Sequence, residues 1–463
     1  MFSQWQLRAA FAHRLSEMYG REVPAYTTLV DVSREVNEDV LRAEGAGAER
    51  LGSISRVTAE RHGAIRVGTP DELNQVARIF GALGMRPVGF YDLREAASSA
   101  VPVVSTAFRP VDAEELARNP FRVFTSMLTP ADPRFFDTEL RERLERFLAE
   151  RQLFPPELLA LADRAEAEGE LPDAEAGRFL HLAVRAFELS TEPLDQGWYE
   201  TLERVSAVAA DIGGVRSTHI NHLTPRVLNI DELYRRMTER GVTMIDTIQG
   251  PPRWDGPDVL LRQTSFRALA EPRPMRSADG QVTSGALRVR FGEVEARGIA
   301  LTRQGRALYD DLLTRIDDRA AKDGGDRQEI ARALWEEKLP ATERELAASG
   351  RAFFTYHPVP GRPRDGSPPP AGLAELLDQG WVEARPIVYE DFLPRSAAGI
   401  FQSNLSDQGS RNDSHSAVRY DSDWLSGAVG REVLDPFSLY ERQQNRSLEQ
   451  VARDLDLPGP PTA

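Results

Sequence analysis

Residues 62–73 read HGAIRVGTPDEL, and residues 222–233 read HLTPRVLNIDEL. Both copies follow the pattern H-x-x-x-R-V-x-x-x-D-E-L, with every shared residue at the same offset. In each copy an extended run leads into a helix start, and several candidate strands follow. The sequence therefore predicts two β-α-β-β-β modules, the first followed by a helical insertion and the second uninterrupted.

The rest of the chain is divided around these two modules, and the fold class is predicted to be α+β. Ser53, Ser55 and Val57 predict an extended segment at the start of the first module, and strands of the second module are predicted at 242–248, 258–266 and 286–296. The predicted parts are N-terminal helices at 1–50, the first module at 51–111, a helical insertion at 112–212, the second module with the metal ligands at 213–300, and a helical and loop region at 301–463 that closes the site.

The composition excludes several classes of function. The chain has 463 residues, 57 Lys and Arg against 72 Asp and Glu, a net charge of −15, seven histidines and no cysteine. The absence of cysteine excludes disulfides, thiolate nucleophiles, cysteine-ligated zinc and iron–sulfur clusters. The acidity argues against general nucleic-acid binding, which needs a basic face. With no long apolar run and no basic, apolar N-terminal leader, we expect a soluble cytoplasmic protein without a membrane partner.

The repeat narrows the search for a site. Two modules related by pseudo-symmetry can place His62 and His222 face to face, and two convergent imidazoles begin a metal site. His219 is a rival to His222, although residues three apart point to opposite faces of a regular strand. Glu293 and Glu295 share one face of a predicted strand, so either carboxylate is a candidate third ligand. A structural, hydrogen-bonded role for each histidine is the alternative.

Several longer motifs resemble those of the 2-oxoadipate dioxygenase/decarboxylase family, also called hydroxyglutarate synthases. They are RHGAIRVG at 61–68, HINHLTPR at 219–226, LLRQTSF at 260–266, RFGEVE at 290–295, YEDFLP at 389–394 and SAAGIFQSNL at 396–405. The resemblance runs from about Phe2 to about Asp456. It implies a vicinal-oxygen-chelate type of fold, in which paired β-α-β-β-β modules form a partly closed sheet around a metal, here with large helical insertions.

The resemblance also implies an activity and a set of site residues. The family performs an Fe(II)-dependent, O2-consuming decarboxylation of 2-oxoadipate to (R)-2-hydroxyglutarate and CO2, a step of bacterial lysine breakdown. By resemblance the metal ligands are His62, His222 and Glu293, which selects Glu293 over Glu295 and His222 over His219. The substrate-binding arginine of the family falls on Arg66, where a guanidinium fork suits a carboxylate.

The substrate pocket carries one departure from the family. Arg395 stands where a family member has Val next to the substrate, so the range of oxo acids depends on whether this side chain lines the pocket. Ser396 is a further candidate contact, and Gln263, with Ser265 on the same predicted strand, could face the cavity.

Two other classes of function stay open at this point. The same ligands suit a Mn, Zn or Co isomerase or lyase of the same superfamily that acts on a small oxo acid, because two His and one Glu do not choose the metal. A non-catalytic metabolite-binding protein is the third reading. The sequence leaves the oligomeric state open.

Overall fold

A computed structural model describes residues 1–95, 100–288, 290–361, 368–394, 400, 404, 412 and 414–461. The chain combines runs of consecutive helices with mainly antiparallel strand pairs, which confirms the predicted α+β class. The helices are α1 (Gln4–Glu22), α2 (Pro24–Glu44), α3 (Ile54–Ala59), α4 (Pro70–Ala82), α5 (Ala113–Arg118), α6 (Thr138–Ala149), α7 (Pro156–Glu168), α8 (Asp173–Arg185), α9 (Gln196–Glu203), α10 (Ala207–Gly213), α11 (Ile230–Glu239), α12 (Arg303–Asp323), α13 (Arg327–Lys338), α14 (Glu343–Ala348), α15 (Leu373–Asp378), α16 (Ser422–Val429) and α17 (Pro436–Asp454).

The strands fall into one central assembly and several small pairs. They are β1 (Phe2–Ser3), β2 (Arg61–Val67), β3 (Arg86–Asp92), β4 (Val103–Arg109), β5 (Arg122–Leu128), β6 (Glu170–Leu171), β7 (Leu194–Asp195), β8 (His222–Pro225), β9 (Leu261–Ser265), β10 (Glu271–Arg276), β11 (Val282–Leu287), β12 (Glu293–Arg297), β13 (Phe354–Pro358) and β14 (Val382–Pro386).

The first module consists of β2, α4, β3, β4 and β5, and its sheet order is β3-β4-β5-β2. The fourth strand returns to pair in parallel with the first, His62 beside Arg122. This is the predicted β-α-β-β-β unit, but the boundary at residue 111 must be corrected, because β5 lies inside the segment assigned to the helical insertion. The strand sequence RVFTSML is buried along its whole length, as expected for a strand with neighbours on both sides in a covered sheet.

The second module repeats this order with more irregular pairing. β8 leads into α11, and the segment after it bridges to β9 through Gln249 and to Phe266, directly after β9, through Met244. β9 pairs with β12, and Arg226 bridges in parallel to Glu295. The prediction of an uninterrupted module is wrong, because the hairpin of β10 and β11 lies between the third and fourth strands. The predicted strand at 286–296 therefore spans the end of this hairpin and the start of β12.

The repeated D-E-L triplet is explained by the helix starts. Thr69 and Glu72 form a reciprocal capping box at the start of α4, and Asn229 accepts a hydrogen bond from the backbone N–H of Glu232 in α11. Ser53 caps α3 in the same way, through the backbone N–H of Arg56. The extended segment predicted around Ser53 and Val57 is thus a short helix.

The two modules join through their first strands. β2 and β8 pair antiparallel, with His62 opposite Thr224 and Ala64 opposite His222. Opposed residues share a face, so both histidines of the repeat lie on one side of the joined sheet. Among the described residues no bridge connects its two outer edges, so the sheet is not a closed barrel.

The remaining segments cover this sheet. One apolar cluster packs α1, α2, α4 and the helices of 138–213 against the first module, and a second joins α12, α13, β13, β14 and α17. The five-part division of the chain otherwise stays a prediction. In the described part of the chain no helix is long and apolar enough to cross a membrane.

A close backbone approach at Gly298 gives a prediction about stability. A Cβ at Gly298 would lie 2.4 Å from the backbone carbonyl oxygen of Asp258, whereas a Cβ at Gly177 in α8 would meet no atom within 4 Å. Gly298→Ala should therefore lower the free energy of unfolding by about 1–3 kcal/mol. Gly177→Ala, the matched control, should be neutral or stabilising by about 0.5–1 kcal/mol in urea unfolding. Equal effects of the two substitutions would contradict the packing argument.

Candidate metal centre

Three side chains converge on the common face of the joined sheet. Nε2 of His62 lies 3.5 Å from Oε2 of Glu293, and Nε2 of His222 lies 3.4 Å from Oε1 of the same carboxylate. One donor atom from each residue lies within 4.8 Å of the others, and all three residues are buried. Within the described part of the chain this is the one group of three such donors that could hold a metal ion.

The outer contacts of the two histidines leave Nε2 of each ring directed at this group. Nδ1 of His62 lies 2.8 Å from Oε2 of Glu295, and Nδ1 of His222 lies 3.1 Å from the hydroxyl of Thr224. Partners of this kind on the far nitrogen fix the ring orientation and tautomer of metal-binding histidines. Glu295, a candidate ligand in the sequence, thus contacts the back of His62.

The charges of the three donors fit a divalent cation. The carboxylate of Glu293 is buried, and no arginine or lysine lies within 4 Å of it among the described residues. A buried carboxylate without a compensating cation is costly. Gln263 is the further polar neighbour, and its Nε2 lies 3.5 Å from Oε2 of Glu293. The donor set therefore fits a metal ion.

The two histidines differ in pKa because their charged neighbours differ. Burial lowers the pKa of His222 to about 4, and Glu293 offsets this only in part. Burial also lowers the pKa of His62, but Glu295 and Glu293 outweigh it, so the pKa of His62 is raised. His222 is therefore a neutral donor at pH 7, whereas a bound metal would compete with protonation of His62.

Glu295 connects His62 to a buried network of arginines. It is 2.6 Å from Nε of Arg297 and 3.3 Å from Arg122. Burial raises the pKa of Glu295, but Arg297, His62 and Arg122 overcome this and lower it to about 2. The carboxylate therefore remains charged behind the histidine ring.

Glu60 is the second carboxylate of the network and precedes β2. It contacts Arg122 at 2.7 Å and Arg226 at 2.9 Å. Glu390 completes the set by ion pairs with Arg56 and Arg122. Because these groups are almost fully buried, each charge depends on the others for compensation.

Aromatic rings enclose the histidines. Phe392 packs edge-on against His62 with ring centroids 5.0 Å apart, and Phe291 stacks on His222 at 5.5 Å. Phe392 comes from the C-terminal region that was predicted to close the site. Its carbonyl accepts a hydrogen bond from the hydroxyl of Tyr389, which helps to hold this segment in place.

Arg66 lies four residues after His62 on β2, and therefore on the same face. Its NH1 donates to Oδ2 of Asp211 at 2.5 Å, and the side chain is buried. Asp211 also accepts from Nδ2 of Asn221 at 2.9 Å. Asp211 was not singled out in the sequence, because nothing in α10 distinguishes its one carboxylate from those of neighbouring helices.

The other predicted residues are distributed as follows. His219 lies 3.3 Å from Asp211 and is not part of the donor group. Arg226, the repeat counterpart of Arg66, binds Glu60 and the carbonyl of Leu51. Ser265 accepts from Nδ2 of Asn404. Arg395 and Ser396 lie outside the described residues.

Comparisons with known proteins agree with one another. A family model for 2-oxoadipate dioxygenase/decarboxylase matches residues 11–404. The chain belongs to this family. A relative from Mycobacterium bovis with the same name is 57% identical over 94% of this chain and 96% of its own length. One from Pseudomonas putida is 40% identical over 97% of each chain.

A solved structure is similar over almost the whole fold. The crystal structure of hydroxyglutarate synthase from Pseudomonas putida in complex with 2-oxoadipate matches with a TM-score of 0.84 and 38% identity. It covers 99% of each chain. The helical insertions and the C-terminal region of the present chain are therefore features of the family fold.

Replacing Glu295 tests its action through His62. Glu295→Gln should lower metal affinity by about 10- to 100-fold, because the ring of His62 loses its charged partner. Affinity is measured by competition with a coloured chelator at pH 7. The matched control is Glu157→Gln, since Glu157 is an exposed helix residue paired with Arg178. Wild-type affinity in a folded Glu295→Gln protein would show that Glu295 does not orient His62.

Replacing Glu60 tests the arginine network. Burial raises the pKa of Glu60, but Arg122, Arg226, Arg56 and Arg297 lower it well below the ordinary value of 4.5. Because its folded pKa is depressed, Glu60 contributes stability above about pH 4.5, and this contribution is lost as pH falls towards the folded pKa. Glu60→Gln should cost about 3–5 kcal/mol at pH 7, because it leaves buried guanidinium groups uncompensated.

The measurement is urea unfolding of both proteins from pH 7 to pH 3. The free energy of unfolding of the wild type should fall towards that of Glu60→Gln below pH 4.5. Curves that stay parallel over this range would contradict the assignment.

Proposed function

We propose that the protein is an Fe(II)-dependent 2-oxoadipate dioxygenase/decarboxylase. In the proposed reaction 2-oxoadipate and O2 give (R)-2-hydroxyglutarate and CO2, as a step of lysine breakdown. Both oxygen atoms are accounted for in these two products. The observation that carries the proposal is the convergence of His62, His222 and Glu293 on the face that also carries Arg66.

The donor set supports iron as the metal. Two histidines and one carboxylate are typical of non-haem Fe(II) oxygenases, and they leave coordination positions for substrate and O2. When bound, iron supplies the Lewis acidity and the electrons that activation of O2 requires. The chain's own residues supply orientation, charge and exclusion of water.

Arg66 supports a substrate with a second carboxylate. Its backbone lies about 13 Å along β2 from that of His62, as four residues of strand require. A guanidinium on this face can bind the distal carboxylate of a 2-oxo diacid while the oxo acid end faces His62 and His222. The ion pair with Asp211 holds the guanidinium in one orientation.

The surroundings of the donors support a water-poor site. The side chains of His62, His222 and Glu293 are at most 6% exposed. Phe291 and Phe392 cover the two imidazoles. Exclusion of water strengthens the electrostatic interactions of the site and protects reactive species from side reactions. Gln263, through Glu293, is proposed to orient the carboxylate ligand, and Arg395 and Ser396 remain predicted substrate contacts.

The activity test starts from metal-free protein. Anaerobic loading with Fe(II), followed by 2-oxoadipate and then O2, should consume one O2 and release one CO2 for each (R)-2-hydroxyglutarate formed. His62→Ala should abolish this turnover together with stoichiometric metal binding. Turnover that proceeds without O2 would reject the oxygenase and favour the metal-dependent isomerase or lyase.

The same assay tests the role of Arg66. Arg66→Gln should raise KM for 2-oxoadipate by about tenfold or more, because the distal carboxylate loses a charged partner. Arg178→Gln is the control, since Arg178 lies on the exposed face of α8 and pairs with Glu157. An unchanged KM in Arg66→Gln would place the distal carboxylate elsewhere.

A further inference from the structure

A cavity of about 410 Å³ opens beside the sheet, where α6, the end of β10 and residues 214–217 meet. Five arginines line it, four of them exposed at its rim and one buried at its floor. They are Arg143, Arg146, Arg216, Arg276 and, at the floor, Arg273. We call this space the arginine cavity.

The acidic residues of the arginine cavity do not cancel this charge. Glu150 lies 3.7 Å from Arg216, and Asp195 accepts the backbone N–H of Trp198 at the start of α9. Glu192 is the third acid. The lining therefore keeps an excess of positive charge in a chain whose net charge is −15.

Arg273 is the residue that most clearly indicates an anion-binding site in this cavity. It is 4% exposed, and no acidic group lies within 4 Å of its guanidinium in the described part of the chain. Its Nε is buried without a hydrogen-bond partner there. A buried guanidinium is normally paired with an anion.

The nearest carboxylates are held by other residues. Asp211 is bonded to Arg66 at 2.5 Å, and Glu271 accepts hydrogen bonds from Nε and NH2 of Arg290. Burial lowers the pKa of Arg273, and the field of Asp211 offsets this only in part. The floor of the arginine cavity thus has one guanidinium more than its acids compensate.

The wall of the cavity suits a short carbon chain. The guanidinium of Arg143 lies over the ring of Trp198, 4.3 Å from its centroid, and that of Arg216 lies over Phe147 at 5.4 Å. Stacked in this way, Arg143 keeps its fork available for a carboxylate, and the two rings offer apolar surface.

We propose that the arginine cavity binds small dicarboxylate anions, with Arg273 as the buried ligand of one carboxylate. The rim arginines hold the second carboxylate and draw the anion in. The lining of the arginine cavity includes none of the three donors of the metal centre, and its occupation requires neither metal nor turnover. Binding of an anion in the arginine cavity can therefore be tested independently of the proposed enzymatic activity.

The test uses adipate and metal-free full-length protein. Adipate has two carboxylates but lacks the 2-oxo group that a metal would bind. Isothermal titration should show one site, and the fluorescence of Trp198, assigned with Trp198→Phe, should change on binding. Arg273→Gln should weaken binding by at least about tenfold, and Arg273→Lys should weaken it less because the charge remains. Arg178→Gln should bind as the wild type does.

A second variant covers the case in which Arg273→Gln fails to fold. Arg143→Gln combined with Arg276→Gln changes only exposed rim residues, and it should weaken adipate binding by about threefold and reduce its dependence on NaCl. Wild-type binding by this double variant, or by folded Arg273→Gln, would overturn the proposal. Loss of adipate binding in Arg66→Gln alone, with no effect of Arg273→Gln, would overturn it as well.

Kinetics distinguish the two sources of the dicarboxylate. If the cavity receives the substrate on its way to the metal, the rim double variant should lower kcat/KM and its salt dependence while kcat is unchanged. If it receives a separate effector, adipate should change kcat in the wild type and not in Arg273→Gln. Either result supports the proposed site. The first result identifies the bound dicarboxylate as the substrate, and the second identifies it as a separate effector.

Discussion

The contact between Glu295 and His62 is the constraint on which the rest of the site depends. It requires a charged carboxylate on the same buried sheet face, 2.8 Å from the imidazole. Such a charge is stable there only because Arg297 and Arg122 lie against it, and these arginines are in turn compensated by Glu60 and Glu390. The orientation of the His62 ring is thus set by a chain of ion pairs that crosses both modules and reaches the C-terminal region.

The duplication explains why the two halves of the sheet resemble each other and where they differ. Both copies begin with a histidine that reaches the donor group, and both continue with an arginine four residues later. Arg226 binds Glu60, which belongs to the first module, whereas Arg66 binds Asp211, which belongs to the helical insertion. The repeat gives the two arginines equivalent positions, and the carboxylate that the neighbouring segment supplies decides which ion pair each arginine forms.

The sequence predicted those features of the site that follow from the repeat and from the two-residue period of a strand. The repeat identified His62 and His222, and the strand period of two placed Glu293 and Glu295 on one face, as β12 confirms. The same reasoning could not separate the two carboxylates, because their roles depend on Arg297 and Arg122. The pair of Glu60 and Arg226 spans 166 residues, and such partners follow from packing and not from spacing. β5 was missed because it is short and lies between segments that are rich in charged, helix-forming residues. The hairpin of β10 and β11 was missed because the repeat gives no sign of an insertion in the second module.

Buried charge without an oppositely charged Arg, Lys, Asp or Glu partner occurs at two places in the described structure. Glu293 is a buried carboxylate without a guanidinium partner among the described residues, whereas Arg273 is a buried guanidinium without a carboxylate partner there. Elsewhere the buried arginines and acids of the sheet are paired with each other, so these two exceptions are costs that folding alone does not explain. A cation at Glu293 and an anion at Arg273 would remove both costs. The net negative charge of the protein repels an anionic substrate at long range, so attraction of a carboxylate requires a local excess of positive charge. The arginines around Arg273 supply such an excess.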